Sequence, residues 1–212
     1  MFPALQTEIL RRFQQIDLYY RSSPKKPADV AQTFRGLIFV QAYAAYEYTV
    51  RTAIHQAIVE IAAKGHSFRE LKPCLLALFL DNELKAMRAA GEKRIWETRM
   101  ALMTKTFSAD PIAAVEAVPH DGNYYRHTQL QMTFDVLGVK RAITTRRRYR
   151  YTIDEVVDAR NEIAHGEATA AEVGRRYSYS EMRFRIATMR KVCFRVVELL
   201  SEHCGMPDRH CR

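Results

Sequence analysis

Residues 152–166 have the sequence TIDEVVDARNEIAHG, and this stretch decides which fold the sequence predicts. Thr152 and Glu155 have the spacing of a capping box, in which each side chain binds the backbone amide of the other at a helix N-terminus. Gly166 favours termination, because glycine readily adopts the left-handed conformation that follows many helices. The pattern therefore predicts a helix that begins at Thr152, runs to His165 and stops at Gly166.

Arg160 lies in the middle of the apolar stripe of this helix. At about 100° per residue, five apolar side chains fall within about 60° of it: Ile153, Val156, Val157, Ile163 and Ala164. Because a guanidinium cannot lose its charge when buried, Arg160 needs an acidic or phosphate partner. Asn161 and His165 lie about 100° and 140° away, as an i, i+4 pair. An imidazole at a helix C-terminus is suited to proton transfer near neutral pH.

The spacing of these residues carries little weight alone, because the arginine and histidine content gives about one Arg-x4-His match by chance. The surrounding residues are more specific. DARNEIAHG (158–166) resembles the Arg-x4–6-His motif of HEPN domains, where a polar residue often follows the arginine. LIFVQAYAAYEYTV (37–50) resembles the second core helix of that family. LQMTFDVLGV (130–139) resembles a segment that precedes the motif in some bacterial defence-associated branches.

The resemblance implies an all-α fold: an up-and-down helical bundle with extra helices inserted before the motif helix. A single domain is expected over residues 1–212, with a core at about 28–203 and an insertion at about 92–151. The family's catalytic pair carries over to Arg160 and His165, with Asn161 in support. HEPN nucleases are generally homodimers in which two motifs form one composite cleft, and a homodimer is therefore expected here.

The resemblance also implies a metal-independent endoribonuclease without a cofactor. Arg160 would grip the scissile phosphate, since its fork matches two phosphate oxygens. His165 would take the 2′-OH proton or donate a proton to the leaving 5′-oxygen. Attack by the 2′-hydroxyl would leave a 2′,3′-cyclic phosphate, so DNA should be inert. A role as a toxin or phage-defence effector, with an antitoxin or defence-system partner, is expected on the same basis.

Three further features bear on the site. Glu47 shares a helix face with apolar residues, and it predicts either an ion pair with Arg51 or Arg160 or a supporting role in catalysis. A basic segment with aromatic residues can bind RNA phosphates and stack on bases, although such a segment is more often a solvated loop: Arg146, Arg147, Arg148, Tyr149 and Arg150. Some HEPN toxins carry a modified tyrosine two residues beyond the histidine, where this chain has Glu167.

The net charge, the cysteines and the hydropathy indicate which partner, metal content and cellular location the sequence favours. The net charge of +9 is compatible with a nucleic-acid partner or with a basic surface that only favours solubility. Of the four cysteines, Cys74 and Cys193 lie in apolar runs, and the spacing of the tail residues around Cys204 and Cys211 is not typical of a zinc site. No metal, signal peptide or membrane span is predicted, and a reducing cytoplasm is the expected location.

Helical periodicity predicts the remaining elements. Helices are expected over 3–21, 28–64 and 68–90, the third interrupted near Pro73. Further helices are expected over 92–107, 111–118 and 128–137, with a loop over 119–127 and an exposed basic stretch over 140–151. A second capping box at Ser178 and Glu181 predicts a last helix that ends near His203.

Two alternatives to a nuclease remain open. The chain could be a HEPN domain that binds RNA or nucleotide without cleaving it, or a helical interaction module in which Arg160 pairs with Glu47 and His165 only caps a helix. Three observations distinguish the hypotheses. Cleavage of RNA supports the nuclease, binding of RNA without cleavage supports the binding domain, and the absence of both supports the interaction module.

Overall fold

The computed structural model describes residues 2–116 and 125–211. Nine α-helices occur in these ranges: α1 (Pro3–Ser22), α2 (Ala28–Ala62), α3 (Pro73–Phe79), α4 (Asp81–Ala89), α5 (Ile95–Thr106), α6 (His127–Val136), α7 (Arg147–Ala164), α8 (Ala170–Arg175) and α9 (Tyr179–Cys204). Within the same ranges, β structure is limited to two isolated bridges, Ser67 with Pro111 and Leu71 with Cys211. The predicted all-α bundle is confirmed, and extra helices precede α7.

Helix α2 forms the centre of the bundle. Its buried side chains cover a face about 200° wide, and α1, α7, α8 and α9 all pack against it. The largest of these side chains are fully buried: Phe39, Tyr43, Tyr46, Ile54 and Ile58. The Tyr46 hydroxyl donates a hydrogen bond to the Tyr125 carbonyl oxygen at 2.9 Å, which ties α2 to the segment that enters α6.

Helix α8 crosses α2 at two glycines that allow backbone-to-backbone contact. A Cβ atom at Gly36 would lie 1.9 Å from the carbonyl oxygen of Ala170, and one at Gly174 would lie 1.9 Å from that of Gln32. Both distances are shorter than atoms tolerate, so only glycine fits at either position. This crossing fixes the chain immediately after α7.

The last two helices begin at capping boxes. The Ser178 amide donates to Glu181 Oε2 at 2.7 Å, and the Glu181 amide donates to Ser178 Oγ at 3.3 Å. This confirms the box predicted for α9, and α9 ends at Cys204, one residue beyond the predicted end. Thr169 and Glu172 make the same pair of bonds at the start of α8, a helix that was not predicted.

The start of the motif helix was predicted wrongly. Helix α7 begins at Arg147, five residues before Thr152, and the Thr152 hydroxyl donates back to the Arg148 carbonyl oxygen at 3.0 Å. Thr152 therefore lies inside the helix and does not cap it. Its end is as expected, because His165 takes the position after the last helical residue and Gly166 has φ = 74°.

The region between α2 and α7 departs further from the prediction. The expected helix over 68–90 is a short 3-10 turn (Phe68–Glu70) followed by α3 and α4, which separate at Leu80. Residues 112–116 are not helical, so the helix expected over 111–118 is wrong where it is described. Most of the expected loop over 119–127 lies outside the described residues. Gly138 stops α6 with φ = 79°, as predicted.

Two properties of the described ranges bear on the class of protein. No helix there combines the length and apolarity needed to cross a membrane. All four cysteines are free thiols, and no group of three or more metal-ligating side chains comes together within residues 2–116 and 125–211.

Candidate active site

The C-terminal end of α7 places Arg160 against α2. The arginine is partly buried, and its guanidinium carbon lies 4.5 Å from the centre of the Tyr43 ring. Its Nη1 atom donates a hydrogen bond to Asn161 Oδ1 at 2.9 Å. Sequence reasoning expected an acidic or phosphate partner, and the structure shows that an aromatic face on α2 also holds the guanidinium.

His165 occupies the exposed turn that ends α7. Its backbone amide donates to the Asn161 carbonyl oxygen at 2.9 Å, and its φ of −89° and ψ of −2° keep the residue near helical geometry. The amide of Gly166 donates to the Ile163 carbonyl oxygen, and those of Glu167 and Ala168 both donate to the Glu162 carbonyl oxygen. The imidazole therefore lies at the C-terminal end of an 18-residue helix, where the partial charge of the helix is negative.

Two ion pairs and a hydrogen bond hold the outer surface of α7. Asp158 pairs with Arg126 at the start of α6, and Asp154 Oδ1 accepts from the His127 amide at 2.8 Å. Burial and the nearby Arg150 lower the pKa of His127. Near the helix end, Glu162 pairs with Arg176 at 2.7 Å. They lie on the side of α7 opposite its buried face, which packs against α2 and fixes the rotation of the helix.

Glu47 lies one turn beyond Tyr43 on α2, in a groove of about 690 Å³ that it shares with Arg51 and His55. The buried Tyr125 is close to this groove: burial raises its pKa, while Arg51 lowers it and Glu47 raises it. The ring that contacts Arg160 is that of Tyr43, and Glu47 lies one turn away beside Arg51. A supporting role for Glu47 remains a prediction.

The predicted RNA-binding segment is divided between two surfaces. Arg147 and Arg148 face a groove of about 500 Å³ that also contains Glu155, Glu181 and Arg185, and the Arg148 guanidinium lies 3.8 Å from the Phe184 ring centre. Arg146 and Tyr149 line a different groove against α9. Because residues 147–151 form the first turns of α7, the exposed stretch expected over 140–151 is only partly a loop.

Arg160 and His165 point in different directions around the axis of α7. Arg160 packs towards α2, whereas His165 points about 140° away around the helix axis, towards solvent. Together the two residues offer a cation that can hold a phosphate and an exposed imidazole that can exchange protons.

Sequence reasoning missed three residues of this site. Tyr43 was not predicted, although a large aromatic residue one turn from a carboxylate on a core helix could have indicated a platform for a cation. Asp154 and Asp158 lie on the same exposed strip as His165, at about 120° and 160° from Arg160. Their pairing with α6 depends on tertiary packing, which helical periodicity does not describe.

Comparison with known proteins gave one match. The model of a family described as RiboL-PSP-HEPN matches residues 7–202, which is nearly the whole chain. No curated protein and no solved structure matched. The matched range includes Tyr43, Arg160, Asn161 and His165.

Proposed function

Since the chain belongs to the RiboL-PSP-HEPN family, we propose that it is a metal-independent endoribonuclease whose catalytic pair is Arg160 and His165. The observation that carries this proposal is the arrangement at the end of α7, where Tyr43 and Asn161 hold a partly exposed guanidinium while His165 stays open to solvent. Burial of both side chains in the core would have removed the hypothesis.

Arg160 and Asn161 form the phosphate-binding half of the proposed site. The Tyr43 ring supports one face of the guanidinium, and the planar fork of an arginine matches two phosphate oxygens. Asn161 accepts from Nη1 and so restricts the side chain to one orientation. A preoriented guanidinium stabilises the charge that develops on the phosphorane without reorganisation during the reaction.

His165 supplies the proton transfer. The 2′-hydroxyl of the RNA loses its proton and attacks the adjacent phosphorus, the bond to the 5′-oxygen breaks, and that oxygen gains a proton. The products are a 2′,3′-cyclic phosphate and a 5′-hydroxyl, and no metal is needed because the nucleophile belongs to the substrate. In this scheme His165 either removes the first proton or donates the second.

The active unit proposed is a homodimer with a composite cleft. Since Arg160 and His165 point about 140° apart on one helix, a two-fold arrangement of α7 helices would place the arginine of one protomer near the histidine of the other. A role as a toxin or phage-defence effector, with an antitoxin or another defence protein as partner, is proposed from the family resemblance.

The test is cleavage of labelled single-stranded RNA in EDTA. Wild-type protein should produce ends carrying a 2′,3′-cyclic phosphate, and His165→Ala should lower the rate by about a hundredfold or more. Glu167→Gln is the matched control, because it changes an exposed side chain two residues away and leaves the imidazole. An RNA with a single 2′-deoxy substitution at the cleaved position should be inert there.

Three outcomes separate this proposal from the alternatives. Cleavage that depends on His165 supports the nuclease. RNA retention without cleavage supports a binding domain, and neither result leaves an interaction module. Light scattering at micromolar concentration tests the composite cleft independently, because a strictly monomeric but active enzyme would contradict the dimer and leave the nuclease assignment standing.

A further inference from the structure

The groove that Arg146 and Tyr149 line against α9 lies at the opposite end of α7 from His165. It has a volume of about 580 Å³ and is bounded by the segment 142–145, the first turn of α7 and the middle of α9. We call it the α7–α9 groove and define it by five side chains: Arg146, Tyr149, Arg190, Lys191 and Arg195. Tyr149 and His165 are 16 residues apart on one helix, which places them about 24 Å apart along its axis.

The α7–α9 groove has an excess of positive charge. Four cations line it, against one carboxylate, that of Glu198. Arg195 pairs with Glu198 at 2.7 Å, and Arg190 lies 3.5 Å from Asp17 on α1. Within residues 2–116 and 125–211, no carboxylate lies within ion-pair distance of Arg146 or Lys191, and both of these side chains are exposed. Arg146 Nη1 donates to the Tyr149 hydroxyl at 3.4 Å, which leaves its charge unneutralised. The charges of Arg146 and Lys191 can therefore act on an anionic ligand.

The N-terminus of helix α7 adds to the positive electrostatic potential of the groove. Arg146 immediately precedes the first residue of α7, and the Arg146 side chain forms no N-cap hydrogen bond with the first-turn amides. The N-terminus of an 18-residue helix carries a partial positive charge and favours phosphate groups. The two available cations and the helix dipole thus act on the same volume.

The wall of the groove is suited to a base. Tyr149 is partly exposed, its ring meets that of Phe184 edge-on at 6.1 Å, and the Arg146 guanidinium carbon lies 5.4 Å from its centre. Ile143, Val192 and Phe194 contribute apolar surface. An aromatic face beside arginines is the combination that binds unpaired nucleotides, since the base stacks on the ring and the cations bind the phosphate.

We propose that the α7–α9 groove binds a nucleotide unit, with its phosphate on Arg146 and Lys191 and its base on Tyr149. The nucleotide can come from a single-stranded RNA or from a free nucleotide, because both present the same chemistry. The proposal does not depend on the nuclease assignment. If the ligand is RNA, the separation from His165 corresponds to about seven stacked nucleotides at about 3.4 Å each.

Fluorescence anisotropy with full-length His165→Ala protein tests the proposal without interference from cleavage. The probes are a labelled 12-nucleotide RNA, ATP, AMP and inorganic phosphate. The double variant Arg146→Gln, Lys191→Gln should weaken binding of the RNA or of the free nucleotides at least tenfold. The control Arg88→Gln, Lys93→Gln removes the same charge from two exposed positions on or beside α4, far from α7 in sequence, and should change binding less than threefold.

Tyr149→Leu tests the stacking contact separately. Loss of the ring should weaken nucleotide binding about tenfold while inorganic phosphate binding is unchanged. Circular dichroism and the melting temperature establish that this partly buried substitution leaves the protein folded. If Tyr149→Leu does not fold, the double variant Arg146→Gln, Lys191→Gln still tests the groove, because both of its positions are exposed.

The source of the nucleotide follows from the probes. Saturable binding of ATP or AMP that is lost in the groove variant assigns the groove to free nucleotides, and binding of RNA alone assigns it to the strand. Equal losses in the groove variant and the control, or no loss in either, would overturn the proposal. Cleavage of a dinucleotide, which is too short to reach both sites, is compared between wild-type protein and His165→Ala and tests the proposed function without the groove, so failure here is distinct from failure of the proposed function.

Discussion

The two ends of α7 carry two basic sites that are built in different ways. At the C-terminal end, Arg160, Asn161 and His165 lie within six residues, and one aromatic residue of α2 supports the guanidinium of Arg160. At the N-terminal end, the α7–α9 groove combines side chains from the segment before α7, from α7 itself and from α9. A site that is local in sequence can be found from a motif, whereas a site assembled from distant elements becomes visible only in the folded chain.

Gly36→Ala is expected to have the largest effect and to act on the C-terminal end. The new Cβ would lie 1.9 Å from the Ala170 carbonyl oxygen, and because backbone cannot rotate away, α8 must separate from α2. The free energy of unfolding should fall by about 3 kcal/mol, as measured by urea denaturation. Cleavage should fall as well, while binding in the α7–α9 groove should persist at temperatures where the variant is folded.

The control is Gly91→Ala, where an added Cβ meets nothing within 4 Å. It should change stability by less than about 1 kcal/mol. Equal destabilisation by both variants would show that the crossing of α2 and α8 is not especially tight. Loss of groove binding in folded Gly36→Ala protein would show that the two ends are coupled.

Sequence periodicity predicted the bundle because α1, α2, α6 and α9 each repeat apolar residues at helical spacing and end at a recognisable signal. The two capping boxes show the limit of such signals. Ser178 caps α9, but Thr152 has the same pattern and lies inside α7. The residues before Thr152 are helix formers, and contacts made by Arg148 with Phe184 stabilise them in that conformation.

The candidate site was predictable only in part for the same reason. Arg160, Asn161 and His165 follow from a motif on one helix, so their order and spacing are visible in the sequence. Tyr43 lies more than a hundred residues away, and its contact with Arg160 depends on how α2 and α7 cross. The cations that α9 contributes to the α7–α9 groove are spaced unevenly along that helix, and no motif connects them with Arg146 or Tyr149.

Arg160→Lys should have the next largest effect. Lysine keeps the charge but lacks the planar fork and stacks less well on Tyr43, so kcat/KM for RNA cleavage should fall tenfold to a hundredfold, or about 1.5–3 kcal/mol. The matched control is Arg148→Lys at the other end of α7, where the guanidinium also covers an aromatic ring, that of Phe184. Equal losses in the two variants would contradict a specific role for Arg160.

Lowering the pH should destabilise the protein mainly at the C-terminal end of α9, the helix whose middle lines the α7–α9 groove. Burial lowers the pKa of His203 and His210 to about 4, below their ordinary value of 6.5. The unfolded chain therefore binds more protons between these values, so the stabilisation is complete above about pH 6.5 and is lost as the pH falls towards 4. Allowing for coupling between the two imidazoles, the loss should reach about 2 kcal/mol at pH 5.

Thermal melts from pH 7.5 to 4.5 measure this slope. His203→Gln should flatten it, because the variant has no ionisable group at that position. His55→Gln changes an exposed histidine on α2 and should leave the slope unaltered. A slope that is identical in all three proteins would assign acid sensitivity to carboxylates rather than to the buried histidines.

Asp158→Asn is expected to have the smallest effect, and it tests the surface between the two ends. The pair with Arg126 is largely solvent-exposed, so its loss should change stability by less than about 0.5 kcal/mol. Asp158 precedes His165 by seven residues on the same strip, about 10 Å along α7. Two unit charges about 10 Å apart in water interact with about 0.4 kcal/mol. Removing the Asp158 charge, which repels RNA phosphates bound near His165, should therefore strengthen RNA binding about twofold at low salt.

Screening separates this electrostatic effect from a structural one. At about 0.5 M salt the gain should disappear, because 10 Å then exceeds the Debye length. Asp110→Asn removes an exposed carboxylate outside α7 and serves as the control. A gain that survives high salt would mean that Arg126, once released from Asp158, binds the RNA itself, and the strip between the two ends of α7 would then belong to the binding surface.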